Sequence, residues 1–346
     1  MKERVSAYDV AKLAKVSQST VSRVLNNYPY VKKETQEKVH NAINALGFSP
    51  DEIARSLASK KTNTIGLIVD DISNSFYAET AHIILREAQK YDYEVIIIDA
   101  ETDEESFAKA ISTLNGKRVD GIIVASVRMD NQKLKEFYES GLPIICYNRR
   151  IHHSEKIHYV EVDNRLGAKK AINYLVELKH ERIAYISGPT IYSTFFERFE
   201  GYQEAIKENQ LIYDNSLVYQ AELEYEKVFD FSLNLMRSEN PPTAFLASTD
   251  QMALVIMDAA VRCGRHVPYD VSIVGFDDIA IASSPYINLS TVSQQKKEMA
   301  ILALTKLLSI IKSGGKTEDS SKITLLPKLI IRRTTGIKNE WNNSNN

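Results

Sequence analysis

Ser6-Ala7-Tyr8-Asp9-Val10-Ala11 and, after a short interval, Val16-Ser17-Gln18-Ser19-Thr20-Val21-Ser22-Arg23-Val24-Leu25-Asn26 decide how the N-terminal part of this chain folds. Ser6 is a good N-cap, and Asp9 three residues on completes the signature of a capping box. Val10, Leu13 and Ala14 then share one helical stripe. Lys15-Val16-Ser17 breaks that stripe. Ser17 can cap a second helix, with Val16 and Val21 at the positions of a hydrophobic staple. The second helix is expected to bury Val21, Val24 and Leu25 and to expose Gln18, Ser19, Ser22, Arg23 and Asn26. A third helix follows, with Val39, Ala42, Ile43 and Leu46 on one stripe. Two short helices joined by a tight turn form a helix-turn-helix pattern. A bare three-helix bundle explains the apolar stripes equally well. It does not explain why the second helix is lined with side chains that suit base edges and phosphates.

Charge separates the two parts of the chain. The formal net charge is −2, yet residues 1–61 hold 11 Lys+Arg against 6 Asp+Glu, while the remaining 32 against 39 leave an acidic body. Only the first segment has the balance expected of a partner for a polyanion. At 346 residues the chain is too long for one ordinary core. Its two cysteines, Cys146 and Cys263, exclude a disulfide framework and a four-cysteine zinc site. Met1-Lys2-Glu3-Arg4 lacks the apolar core of an export signal. No apolar run approaches the roughly 20 residues of a membrane span. These features lead to the expectation of a soluble cytoplasmic protein.

From Thr62 onward, short β-rich runs alternate with amphipathic stretches. Ile65–Val69, Val95–Ile98, Gly121–Val124, Ile144–Cys146, Ile183–Ile186, Ala244–Ala247 and Val271–Val274 read as buried strands, with helices such as Phe76–Tyr91 and Leu166–Leu178 between them. That alternation predicts parallel sheets wrapped by helices, in two α/β lobes. Ligands of such sheets sit beyond the carboxyl ends of the strands. The polar and aromatic residues placed there are Asp71 with Phe76 and Tyr77, Asn148-Arg149, Asp163, Thr194 with Arg198, Thr249-Asp250 and Asp277.

The headpiece strings, together with Ala54-Arg55-Ser56-Leu57 and the Arg332-Arg333-Thr334-Thr335 near the C-terminus, resemble the LacI/GalR family of regulators, over nearly the whole chain. The fold class this implies is α/β: an all-α helix-turn-helix headpiece and a periplasmic-binding-protein-like body of two Rossmann-like lobes. The divisions expected are residues 1–49 for the headpiece, 50–61 for a hinge helix, 62–338 for effector binding and dimerisation, and 339–346 for a disordered tail. The resemblance implies that Gln18, Ser19 and Arg23 read the major groove, with Tyr8, Ser17, Thr20, Ser22 and Asn26 on the phosphates. It also implies that Ala54 and Leu57 contact DNA from the hinge, Leu57 as a minor-groove wedge. Chain crossings between lobes are implied near Val162-Asp163, near Leu289-Ser290 and from Leu325 to Lys328. The implied effector contacts are Phe76, Tyr77, Asn148, Arg149, Thr194, Arg198, Thr249 and Asp277.

The sequence departs from the family in several places. Lys32 stands where a capping Ser is usual, a loss of roughly 1 kcal/mol. Asp51 replaces a frequent Asn, Asn148 stands where many relatives carry an acid, and Thr249 and Ala125 are smaller than the Asn of some sugar-responsive members.

Chemistry of other kinds is not indicated. Neither GxGxxG nor GxxxxGK[ST] occurs. His152, His153 and His158 lack metal-ligand spacing, and Ser187-Gly188-Pro189 lacks the flanks of a nucleophile elbow. The expectation is therefore no enzyme, no cofactor and no metal. The function expected is that of a repressor that binds a pseudo-palindromic operator as a homodimer and is switched by a small polar metabolite such as a sugar. Two other readings are a catabolite-control regulator governed by a phosphorylated carrier protein and a sugar-binding receptor without DNA function. The tail after Gly336 has no leucine heptad, which argues against a coiled-coil tetramer.

Overall fold

The computed structural model describes residues 5–25, 28–48, 61–100, 103–152, 156–314 and 321–338. The chain divides into two compact units, residues 1–62 and 63–346. The first holds α1 (Ala7–Ala14), α2 (Gln18–Leu25) and α3 (Lys33–Leu46). The capping box at α1 is formed. The Ser6 amide donates to Asp9 Oδ2 at 2.9 Å and the Asp9 amide to Ser6 Oγ at 3.4 Å. Lys15 ends the helix in the left-handed region at φ 56°. Ser17 Oγ then accepts from the Thr20 amide at 3.1 Å, capping α2. Val10, Ala11, Ala14, Val21, Val24, Val39 and Ala42 form the small core, with Phe48 closing it. Leu13 departs from expectation. It is 51% exposed, and Ala11 takes the buried place beside Val10 and Ala14. Lys32 makes no side-chain cap to α3.

The second unit begins with β1 (Thr64–Val69), α4 (Ser75–Gln89), β2 (Glu94–Asp99), α5 (Glu104–Gly116), β3 (Gly121–Val124), α6 (Gln132–Glu139), β4 (Ile144–Tyr147) and β5 (His158–Val162). It continues with α7 (Asn164–Glu177), β6 (Ile183–Ser187), α8 (Ser193–Glu208), β7 (Val218–Gln220), α9 (Tyr225–Arg237), β8 (Ala244–Ala247), α10 (Asp250–Arg262), β9 (Ser272–Asp277) and β10 (Ser290–Ser293). It closes with α11 (Lys296–Lys312), β11 (Lys322–Leu325) and β12 (Lys328–Ile330). These make two six-stranded sheets, ordered β11-β5-β4-β3-β1-β2 and β12-β10-β9-β8-β6-β7. All pairings are parallel except that of β10 with β12. The inner strands β1, β3, β4, β6 and β8 are apolar nearly end to end and buried, as strands covered on both faces must be.

The chain passes from the first lobe to the second after Val162 and again between β11 and β12, as the resemblance implied. The other crossing is displaced. Leu289-Ser290 still belongs to the second lobe, because β10 pairs with β9 through Ser293. The chain leaves at Gln294-Gln295, where Gln295 turns it at φ 54° into α11. The short strand β10 is polar at both ends, so periodicity did not reveal it. β5, β7, β11 and β12 were missed for related reasons: β5 carries His158 and Glu161, and the other three are edge strands of three or four residues.

Candidate functional site

Two places concentrate functional chemistry, one in each unit. In the first unit the polar side of α2 faces outward. Gln18, Ser19, Ser22 and Arg23 are exposed, as is Ser17 at the helix start, while Val21 and Val24 are buried beneath them. Tyr8, on α1, is 63% exposed. Thr20 is half-buried, with its hydroxyl 2.8 Å from Ser17 Oγ. The Arg23 guanidinium lies over the Tyr28 ring at 5.9 Å, and the Tyr28 amide donates to the Arg23 carbonyl at 2.9 Å. The sequence reading did not single out Tyr28, whose role depends on the turn returning to α2. Asn26, Asp51, Ala54 and Leu57 lie outside the described residues.

The second place is a cavity of about 330 Å³ between the two lobes. All eight anticipated residues line it: Phe76, Tyr77, Asn148, Arg149, Thr194, Arg198, Thr249 and Asp277. Each ends or follows a strand or lies in the first two turns of the helix after it, so the topology, and not proximity in sequence, assembles the wall. Asn74 caps α4 by accepting from the Phe76 amide at 2.9 Å, which fixes the entry of Phe76 and Tyr77. Their rings meet edge to face at 5.4 Å. Thr249 serves twice, since its hydroxyl also caps α10 by accepting from Met252 at 3.2 Å.

Two arginines hold opposite walls. Arg149 Nη1 donates to Asp70 Oδ2 at 3.0 Å and to Ser126 Oγ at 2.9 Å, and its guanidinium stacks 3.9 Å from the Tyr192 ring centre. Arg198 lies 3.6 Å over the Phe276 ring and donates through Nε to Asn164 Oδ1 at 2.9 Å and through Nη1 to the Ser248 carbonyl. Its Nη1 is 3.7 Å from Asp277 Oδ1, and both side chains are buried. Gln294 donates to the same Asp277 oxygen at 2.5 Å. Burial raises the Asp277 pKa, opposed by Arg198 and Lys296.

Asp277 and Asp278 follow one another at φ 123° and 55°. Non-glycine residues there cost about 1–3 kcal/mol each. Lys296 holds this turn by donating to the Asp277 carbonyl at 2.9 Å and to that of Asp278. Lys296 is also 3.3 Å from Glu79 on α4, and Glu79 accepts from the Ala280 amide at 2.8 Å. Further ties across the lobes run from the Met129 amide to the Ile191 carbonyl, 2.9 Å, and from Arg150 to Glu197. Arg150 also pairs with Glu161 at 3.0 Å. Burial raises the pKa of both Glu161 and Glu197, with Arg150 opposing.

Two residues named at strand ends stand behind the wall. Asp163 caps α7 by accepting from Leu166 at 2.8 Å. Asp250 is fully buried, taking the Thr291 hydroxyl at 2.5 Å and the Ile279 amide at 2.8 Å. A Cβ on Gly275 would sit 2.2 Å from Asp250 Oδ1, so any side chain there would have to displace this buried, hydrogen-bonded carboxylate. Sequence reasoning missed Asp70, Tyr192, Phe195 and Gln294 on the wall. Asp70 directly follows β1 and could have been found by that rule. Gln294 could not, because its strand went unrecognised.

Residues 6–51 match the bacterial regulatory proteins of the lacI family, and residues 62–333 match the family of periplasmic binding proteins and sugar binding domain of LacI family. Catabolite control protein A of Priestia megaterium is 33% identical over 96% of this chain and 99% of its own. The ribose operon repressor of Halalkalibacterium halodurans is 33% identical over 94% and 96%. A crystal structure of the Lac repressor dimer bound to operator and an anti-inducer superposes with a TM-score of 0.86 at 26% identity, covering 96% of this chain and all of that one. From the capped α2 to the cavity beyond the strand ends, the chain belongs to the lacI family of bacterial regulatory proteins.

Proposed function

We propose that the protein is a transcription repressor that works as a homodimer on a pseudo-palindromic operator and is switched by a small polar metabolite, a sugar or sugar derivative, held in the cavity between its lobes. Residues 1–49 bind DNA, 50–61 link, and 62–338 sense and dimerise; the tail expected at 339–346 lies outside the described residues. The protein acts in the cytoplasm and catalyses no reaction. Gln18, Ser19 and Arg23 read bases, since Arg and Gln offer bidentate donors to guanine and adenine. Tyr8, Ser17, Thr20, Ser22 and Asn26 hold phosphates, and Ala54 and Leu57 act from the hinge. Phe76, Tyr77, Asn148, Arg149, Thr194, Arg198, Thr249 and Asp277 take the effector.

The observation that carries this reading is the convergence of those eight residues, drawn from positions 76 to 277, on one cavity. The bridges across the lobes give the effector something to bias, because they hold one of the arrangements open to a two-lobed body. The operator-bound Lac repressor dimer supports the dimeric arrangement. A duplex selected by the full-length chain from a random pool, titrated with and without candidate metabolites, tests the reading. A metabolite should change duplex affinity, and linkage allows either sign.

The likeness to catabolite control protein A supports a second reading, in which a phosphorylated carrier protein delivers the signal. A pull-down with the phosphorylated and unphosphorylated carrier separates the two.

A further inference from the structure

The charges around the cavity restrict what can enter it. Arg149 and Arg198 supply its positive charge, and each is already compensated. Arg149 pairs with Asp70 at 3.0 Å and Arg198 faces Asp277 at 3.7 Å. Two further carboxylates, Asp71 and Glu222, sit exposed at the mouth. An anion therefore meets a site whose positive charge is spent and whose rim is negative. In a buried site, the cost of adding a like charge is large.

Two of the three unpartnered polar atoms on the wall point the same way. Arg149 Nε, Asn148 Oδ1 and Gln294 Oε1 are buried with no hydrogen-bond partner among the described residues. The Gln294 amide is oriented by its donation to Asp277, so its free atom is the carbonyl oxygen, an acceptor. Acceptors need donors. A hydroxyl both donates and accepts, whereas the phosphate or carboxylate that takes the place of one hydroxyl in an anionic sugar only accepts there. The aromatic pair Phe76 and Tyr77 supplies a flat apolar wall beside these groups. At about 330 Å³ the space is near the lower end of the roughly 300–1,000 Å³ typical of ligand pockets, enough for one ring.

We infer that the cavity selects an uncharged, single-ring polyol and turns away the phosphorylated or carboxylated form of the same sugar. This rests on the effector role proposed for the cavity.

The test is a thermal-shift panel on the full-length chain, followed by calorimetry. The panel holds ribose, xylose, glucose, galactose and N-acetylglucosamine, each beside its phosphate or uronic acid where one exists. At least one uncharged member should stabilise the protein, and its anionic counterpart should bind about a hundredfold more weakly. Glu222→Lys, an exposed change at the mouth, should narrow the gap between the anion and its uncharged counterpart. An anion that binds as tightly as its neutral counterpart overturns the inference, and so does a panel in which no uncharged member stabilises. Thr194→Trp fills the cavity, and retained binding to the selected duplex shows that this variant is folded. Should it misfold, Phe76→Ala replaces it. A sugar that binds the blocked variant as well as the parent lies elsewhere and sinks the effector-site reading itself.

Discussion

Arg23 and Arg198 put one residue type in two opposite settings. Arg23 stands exposed on α2, its guanidinium over the Tyr28 ring. Arg198 is 2% exposed, sandwiched by Phe276 and tied to Asn164, Ser248 and Asp277. The first can be removed without disturbing the fold around it. The second cannot, because its loss takes from the buried Asp277 its ion-pair partner and leaves only the more weakly opposing Lys296. A surface reader is built by local periodicity, and a buried binder by the topology that gathers distant strand ends. The two should respond to mutation on different scales.

Arg198→Ala should give the largest effect. Breaking a buried ion pair costs about 3–5 kcal/mol, seen as a lower unfolding midpoint of the body and as lost ligand response in calorimetry. A normal ligand isotherm in a stable variant would erase the contrast just drawn. Arg23→Ala should cost about 1–3 kcal/mol of affinity for the selected duplex, with the melting temperature and ligand binding unchanged. If specific and random DNA lose affinity equally, Arg23 holds a phosphate and does not read a base.

Lys32→Ser restores a capping hydroxyl to α3 and should stabilise the headpiece by about 1 kcal/mol. Chemical denaturation followed by helical signal checks it, and an unchanged midpoint would mean that the helix start is satisfied another way. The smallest effect concerns His180, buried between Thr243, Ser272 and the Gly336 carbonyl. Burial lowers its pKa from the ordinary 6.5. The unfolded chain therefore takes the proton first. The stability His180 contributes is complete above pH 6.5 and is lost as the pH falls through that value toward the folded one. Denaturation midpoints at pH 7.5 and 5.5 should differ in that sense for the parent chain, and the difference should shrink in His180→Asn.

How much was legible in the sequence follows the same division. The capping box at Ser6 and the polar face of α2 are local, and the folded headpiece keeps them, with Val16 and Val21 both packed into its core. Leu13 was misplaced because packing against the other two helices turns the buried stripe of α1 toward Ala11, a shift that periodicity alone does not fix. In the body, the apolar inner strands announced themselves. The polar or very short ones, β5, β7, β10, β11 and β12, did not, since pairing with a neighbour, not their own pattern, makes them strands. That is also why Gln294 escaped notice while Arg198 and Asp277, carried by the resemblance, did not.

The most direct measurement is fluorescence anisotropy of the full-length chain on its selected duplex, against random DNA of equal length, with and without a cavity ligand. The expected result is a clear preference for the selected duplex and a change of about fivefold or more in that affinity when ligand is present. Equal binding to both duplexes, in the presence and absence of every metabolite tried, would contradict a DNA reader governed by a sensing cavity.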